Sequence, residues 1–278
     1  MEIGKWGASP QDKAQYVQAL FTSLAGRYDW MTDAWTFGLH RRWKKQAMAL
    51  AGLASGEGVL DVCTGTGDLA KLAQASVGQE GFVVGLDYTL AMLKVGRDRV
   101  GSGPRLICAD ACHIPLASGL FDLVSFSFGL RNVYDPALAL REGRRLLKPG
   151  GRLMVLDFNT PAHPALRRLH DAFYNVLVPR LGWAFAWHAD AHVYLSDSLA
   201  KWPDPAAICG MLENAGLDGV RSFSLLGGVA VVHMGWREGV KNVRKAAVPS
   251  QTVTGLNALA VSSPANKGDA PCGHGTHR

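Results

Sequence analysis

Five short apolar runs, VLDV, FVVGLD, RLICAD, FDLVSFSF and GRLMVLDF, punctuate residues 59–158, and stretches of helical spacing separate them. Runs this short and apolar on both faces suit strands covered from two sides, and connections of this length carry helices. The alternation predicts a parallel, doubly wound α/β sheet. Asp135-Pro136 and Asp204-Pro205 each supply an N-cap and a first-turn proline, opening helices that end near Pro149 and Gly216. The segment VRSFSLLGGVAVVHMGW, 220–236, then holds two β-rich runs around Gly227-Gly228. It predicts a terminal antiparallel hairpin, which brings the sheet to seven strands.

Two helices are expected before the sheet. Ser9-Pro10 with Asp12 marks the start of one, in which Tyr16, Val17, Leu20, Phe21 and Leu24 recur at helical spacing before Gly26. His40 to Ala51 reads as the other, with Gly52 as its stop and a basic cluster of Arg41, Arg42, Lys44 and Lys45. Residues 160–203 break the alternation and read as a helical lid inserted after the fifth strand. Trp6, Trp30, Trp35 and Trp43 precede the sheet, Trp183, Trp187 and Trp202 lie in the insertion, and Trp236 alone lies elsewhere. Aromatic residues gathered in segments able to fold over the strands' carboxyl ends predict an apolar pocket there, beside those that simply pack helices onto the sheet.

With 278 residues, 48% of them hydrophobic, the chain can bury a sizeable core. Residues 1–238 are read as one domain and 239–278, rich in Ala, Ser, Gly, Pro and Asn without periodicity, as a disordered tail. The net charge is +6, and residues 241–278 carry five basic residues against Asp269. The body is therefore nearly neutral, with no aromatic-basic interleaving, and a nucleic-acid partner is not expected. Five cysteines, at positions 63, 108, 112, 209 and 272, show no CxxC spacing. Their odd number and the lack of a signal-like start point to reduced thiols in the cytoplasm. No apolar run approaches the roughly 18 residues of a membrane span.

The turn after the first strand, VLDVCTGTGDLA, satisfies the G-x-G-x-x-[GA] dinucleotide pattern with Gly65, Gly67 and Ala70, and Asp87 follows as a ribose-binding acid would. Asp68, after the second glycine, would compete with a phosphate for the positive end of the helix, and Asp61 adds a second charge. Two carboxylates near this turn suit a ligand bearing an ammonium and a sulfonium, which is S-adenosylmethionine. Asp87 can accept from the ribose hydroxyls, Asp110 from an adenine amino group, and Ala111 leaves room for the ring, with Leu86, Tyr88 and Ile114 able to pack on its faces. Acids at three successive strands, together with the hairpin, favour a class I S-adenosylmethionine-dependent methyltransferase fold over a dehydrogenase.

Four segments carry a closer resemblance. FTSLAGRYDWMTDAWTFGLHRRWK, SFSFGLRNV, LLKPGGRLMVLDFNTP and LENAGLDGVRSFSLLGGVAVVHMGW are similar to signatures of the ubiquinone/menaquinone biosynthesis C-methyltransferases, over Val17 to Trp236. The resemblance implies cofactor contacts at Thr66, Asp87, Asp110, Ala111 and Ser127, beside Asp61, Gly65, Gly67 and Tyr88 read from the strand ends and the turn. It implies a substrate pocket lined by Tyr28, Asp29, Arg131 and Asn132. Thr32 stands where the family often has Asn and His192 where an aromatic residue is usual, so the ring substrate stays open between a benzoquinol and a naphthoquinol.

The implied reaction moves a sulfonium methyl to a ring carbon of a polyprenylated hydroquinone. That carbon becomes nucleophilic when a neighbouring hydroxyl ionises, and a phenol of pKa about 10 needs a base or a positive field to do so near neutrality. Arg131 is assigned to stabilising the phenolate, because guanidinium does not ordinarily deprotonate, and Asp29 to the base. The alternatives are a structural clamp at Arg131-Asn132, a methyltransferase for another hydrophobic small molecule, and a non-catalytic methyltransferase-like subunit. His188 and His192, four apart, have no third ligand placed nearby, and no metal is expected. A lipid substrate implies peripheral contact with anionic membrane lipid, through the aromatic insertion and the Arg41 to Lys45 cluster, and a homodimer is compatible with the sequence.

Overall fold

The computed structural model describes residues 9–161, 163–172 and 189–239. Ser9 caps the first helix, α1 (Pro10–Leu24): its Oγ accepts from the Asp12 N–H at 3.1 Å, and Pro10 sits in the first turn, where no N–H is needed. Next come α2 (Tyr28–Thr36) and α3 (Leu39–Ala51), the latter ended by Gly52 in the left-handed region. Sequence reading did not single out α2, whose N-cap, Arg27, makes no capping side-chain bond.

The sheet follows in the expected alternation: β1 (Gly58–Val62), α4 (Asp68–Val77), β2 (Phe82–Asp87), α5 (Leu90–Val100), β3 (Arg105–Cys108), β4 (Phe121–Ser127), α6 (Pro136–Leu146) and β5 (Leu147–Phe158). Then come α7 (Pro164–Ala172), α8 (Ala189–Ala200), α9 (Pro205–Asn214), β6 (Asp218–Leu225) and β7 (Ala230–Trp236). Seven strands lie in the order β3-β2-β1-β4-β5-β7-β6, with β7 antiparallel to both of its neighbours. The terminal hairpin is as the Gly227-Gly228 turn predicts.

Period-two alternation divides the core. Leu60, Val62, Val124, Phe126, Leu153 and Val155 face one way and pack with Leu140 of α6 and Leu212 of α9. Val59, Leu123, Met154 and Leu156 face the other way, against Ala47 of α3 and Ala73 of α4. Both faces are covered, which is why the strands read as continuous apolar runs. One boundary differs from expectation. The helix opened by Asp135-Pro136 stops at Leu146, short of Pro149, and β5 begins at Leu147, ahead of GRLMVLDF. Leu147 pairs with Phe121 and Arg152 with Leu123 across a register shift, and that irregularity accommodates Pro149-Gly150 within a strand.

Within the expected lid, α7 and α8 are helical, and residues 173–188 lie outside the described residues, as do 1–8 and 240–278. Trp183, Trp187, His188 and the tail fall there. Among the described residues no helix is long and apolar enough to cross a membrane.

Candidate active site

The strand order reverses between β1 and β4, so the crossovers on either side leave in opposite directions and open a crevice at the carboxyl ends. Two side-chain-bearing residues there hold the left-handed backbone region: Cys63, just after β1 (φ 58°), and Phe128, just after β4 (φ 57°). Such a conformation costs roughly 1–2 kcal/mol per residue and gathers at functional sites. Gly129 must be glycine, since a Cβ there would stand 2.3 Å from Cys63 Cβ. Gly67, at φ 81°, is barred from a side chain on two counts, its backbone and a Cβ position 2.4 Å from Val100 Cγ1.

The crevice is an open cleft enclosing about 760 Å³, solvent at its mouth included. Gly65, Asp87, Tyr88, Asp110, Ala111 and Ser127 line one part; Tyr28 and Asn132 line another; Ala14, Val17 and Phe21 of α1 form an apolar outer wall. With Leu86, nine of the residues read from sequence as site residues therefore meet in one cleft, while Ile114, expected beside Leu86 and Tyr88, is buried in the core instead. Asp29, Asp61, Thr66, Gly67 and Arg131 are not on its wall: Gly67 is the N-cap of α4, turned against Val100, and the other four are held by bonds of their own.

Asp61 is buried, accepting from Thr64 Oγ1 at 2.6 Å and Ser125 Oγ at 2.9 Å. Burial pushes its carboxyl up to about 6. It braces the turn from beneath. Thr66 Oγ1 donates to Asp29 Oδ1 at 2.6 Å and accepts from Arg99 Nη1 at 3.0 Å. Arg99 also bonds Asp29 Oδ2, and its Nη2 donates to Asp68 Oδ1 at 2.9 Å. Asp68 has a second cation in Lys44, at 3.3 Å. The charge argument made from Asp61 and Asp68 is thereby corrected: one is sequestered and the other paired. The carboxylates that do face the cleft are Asp87 and Asp110.

Asp87 fits a nucleoside. Its Oδ2 accepts from Gly65 N–H and its Oδ1 from Thr89 N–H, both at 2.8 Å, which fixes the carboxylate and leaves lone pairs for two hydroxyls. Burial raises its pKa against those backbone bonds. Asp110 Oδ1 accepts from Cys112 N–H at 2.8 Å and Oδ2 from Tyr134 Oη at 3.0 Å. Ser127 Oγ is buried on the cleft wall with no partner, a polar atom awaiting a ligand. Orphaned hydroxyl, anchored acid and small Ala111 together fit S-adenosylmethionine. Among the described residues no cluster of His, Cys, Asp and Glu could hold a metal ion.

On the other side, burial pushes the Tyr28 hydroxyl up to about 12 despite nearby Arg131. Arg131 is buried, with Nη1 donating to Phe128 O at 3.0 Å and bonded to Asp157 Oδ1. Asn132 Oδ1 accepts from Tyr194 Oη of α8 at 2.9 Å. Lys13 Nζ of α1 donates to the carbonyls of Arg131, at 3.1 Å, and Val133, at 2.7 Å. Asp157, Tyr194, Lys13 and Arg99 were not found from sequence. Asp157 had a signal, an acid near the end of a strand like Asp87; the other three are joined to the site only by folding.

The model of the ubiE/COQ5 methyltransferase family matches residues 10–237. The chain belongs to that family. UbiE/COQ5 relatives include the ubiquinone/menaquinone biosynthesis C-methyltransferases UbiE of Teredinibacter turnerae, 41% identical over 81% of this chain and 92% of its own length, and of Paraburkholderia phytofirmans, 43% identical over 84% and 97%. The ubiE/COQ5 fold is shared with a S-adenosylmethionine-dependent methyltransferase from Thermotoga maritima, with a TM-score of 0.56 at 18% identity, covering 80% of this chain and all of that one.

Proposed function

We propose that this methyltransferase places the methyl of S-adenosylmethionine on a ring carbon of a polyprenylated hydroquinone, the chemistry named in its ubiquinone/menaquinone relatives. The observation that carries the reading is one cleft in which Asp87, Asp110 and Ser127 adjoin Tyr28, Asn132 and the apolar wall of α1. S-adenosylmethionine, when bound, supplies an electrophilic methyl group. The chain's own part is to hold the nucleoside at Asp87 and Asp110, hold a ring against Val17, Phe21 and Tyr28, and stabilise oxygen charge with Arg131 and Asn132. Both oxygens of Asp29 are engaged by Thr66 and Arg99, so we assign it to bracing the glycine turn and not to removing the phenol proton. Confinement of ring and donor can lower the barrier by about 7–11 kcal/mol, more than any single side chain here.

Within 160–203, α7 and α8 serve as the described part of the lid in this proposal, with Tyr194 reaching the Leu130–Asn132 turn. Membrane contact is peripheral, through the α2–α3 pair, where Trp30 and Phe37 are exposed near Arg41, Arg42 and Lys45. One experiment tests both statements. Purified protein is supplied with S-adenosylmethionine and either a soluble short-chain demethylated quinone or a long-chain one in anionic vesicles, with and without dithionite, and products are weighed by mass spectrometry. A methylated ring is expected only under reduction, because an oxidised quinone carbon is electron-poor, and salt should suppress only the vesicle arm. Equal turnover without reductant removes the nucleophilic-carbon mechanism. Methylation of phenols or sterols in preference to quinols removes the substrate class, and salt-insensitive vesicle turnover removes the membrane surface.

A further inference from the structure

Arg131 sits in an unusual enclosure. Its guanidinium carbon lies 5.4 Å from the centroid of the Phe158 ring, Phe158 meets Phe128 at 4.6 Å between centroids, and Trp43 closes on both. Within this box Asp157, from the carboxyl end of β5, is 2% exposed. Its Oδ1 takes Arg131 Nη1 and also the Phe158 N–H at 2.8 Å. Nη1 has only two hydrogens, and Phe128 O and Asp157 Oδ1 use both. What remains is uneven: Arg131 Nε and Asp157 Oδ2 are both buried without a partner. Native interiors rarely leave an ionic pair half-satisfied, because each unmade bond forfeits the hydration given up on burial.

We propose that Asp157 is the positioning residue for Arg131: by pinning Nη1 to the sheet it fixes where the guanidinium charge sits behind the cleft wall, and Nη2 and Nε carry the hydrogens left for the ring oxygen of the substrate. The inference rests on the hydroquinone reading above. A guanidinium free to turn on its stem would satisfy Nε on a neighbouring carbonyl; one pinned at Nη1, with its face against Phe158, keeps a single orientation. Asp157 has a second effect. Its charge lies beside the cation and offsets part of the field that favours an ionised phenol. The other ionisable groups that feel the pair are Tyr28 of α2, Tyr194 of α8 and Cys63 after β1, and burial holds all three protons on. The further charges near them are Asp87 of β2 beside both Tyr28 and Cys63, Asp29 beside Tyr28, Asp61 beside Cys63 and Asp197 beside Tyr194.

The test uses the full chain with S-adenosylhomocysteine bound and 2-nitrohydroquinone as probe, whose ionisation is read by visible absorbance. Asp157→Asn keeps an acceptor for Nη1 and removes the charge. The bound probe's pKa should fall, raising its ionised fraction about threefold to tenfold at a fixed pH below that pKa, while kcat on a quinol drops about tenfold as the guanidinium loosens. Arg131→Met should raise the bound pKa. Asp157→Glu restores the charge at a longer reach and should bring the pKa back toward wild type without recovering kcat. Asp157→Asn with an unaltered bound pKa, or the same shift in the Asn and Glu variants, overturns the proposal. So does loss of S-adenosylhomocysteine binding in the Asn variant, which would make Asp157 a support of the whole cleft. Failure of the wild type to bind the probe overturns the hydroquinone reading itself, and this inference with it.

Discussion

Two arginine–aspartate pairs brace opposite sides of the cleft, and they are built on different terms. Arg99 is 32% exposed and ties three elements together: Asp29 of α2, Thr66 of the glycine turn and Asp68 of α4. Among the described residues, none of these four side chains has a buried atom without a partner. Arg131 and Asp157 are 7% and 2% exposed at the side chain, and each keeps an unused bond. A partly hydrated, fully satisfied hub can be replaced at small cost and serves to hold shape. A dry, half-satisfied pair is expensive, and such expense is tolerated where chemistry draws on it.

The largest contrast should appear in stability. Asp157→Ala strands a buried guanidinium and should cost about 3–5 kcal/mol by urea unfolding, whereas Arg99→Ala, with solvent at hand, should cost about 1 kcal/mol. Similar losses would erase the distinction between the two pairs. Activity should separate them next. Arg131→Ala should lower kcat by about 10²–10³-fold, the scale of one lost oxyanion donor, with Arg131→Lys between it and wild type, and cofactor affinity nearly unchanged. Arg99→Ala should act mainly through the glycine turn, weakening the cofactor and lowering kcat by less than about tenfold. Steady-state kinetics beside calorimetry of S-adenosylhomocysteine reads both.

The smallest effect is one of sign with pH. For Asp68 burial raises the pKa but Lys44 and Arg99 outweigh it, leaving the folded value below the ordinary 3.8. Its stabilisation is present above that value and lost as pH falls through the folded one, so the cost of Asp68→Asn should shrink on acidification. For Asp157 burial wins over Arg131 and the folded pKa is raised. The native state then holds that proton more readily than the unfolded chain, and ionising it costs stability as pH climbs past 3.8. Asp157→Asn, which resembles the protonated form, should gain on wild type as pH rises above the ordinary carboxylate value of 3.8. Melting temperatures across that range decide it, and parallel slopes for the two variants would refute the contrast.

The same division explains what could be read before the fold was known. Sheet order, helix caps and the acids Asp87 and Asp110 follow from local signals: an N-cap acid before a proline, a glycine stop, a carboxylate where an apolar run ends. The substrate side depends on side chains meeting across the chain, Asp29 with Arg99, Asn132 with Tyr194, Lys13 with the Arg131 carbonyl. No spacing within one element announces those pairs. Asp61 and Asp68 show the converse hazard, since proximity in sequence to a turn does not say whether a charge faces the ligand or a neighbouring lysine. Asp157 was legible in kind, as an acid in VLDF, but its meaning depended on where Arg131 would come to rest.

The place of β7 bears on how the molecule is made. Among the described residues it is the last strand, yet it lies between β5 and β6, and β6 has β7 alone as its neighbour there. Emerging from the ribosome, β1 to β5 can pair in turn, but the far edge of β5 stays bare until Trp236 has been synthesised. That edge runs through Leu153, Met154, Val155 and Leu156, an apolar row with unpaired backbone groups and a ready template for pairing with another nascent chain. Translation through the helices between β5 and β7 is thus a period of exposure, and speed or shelter over that stretch governs how much chain reaches the native fold.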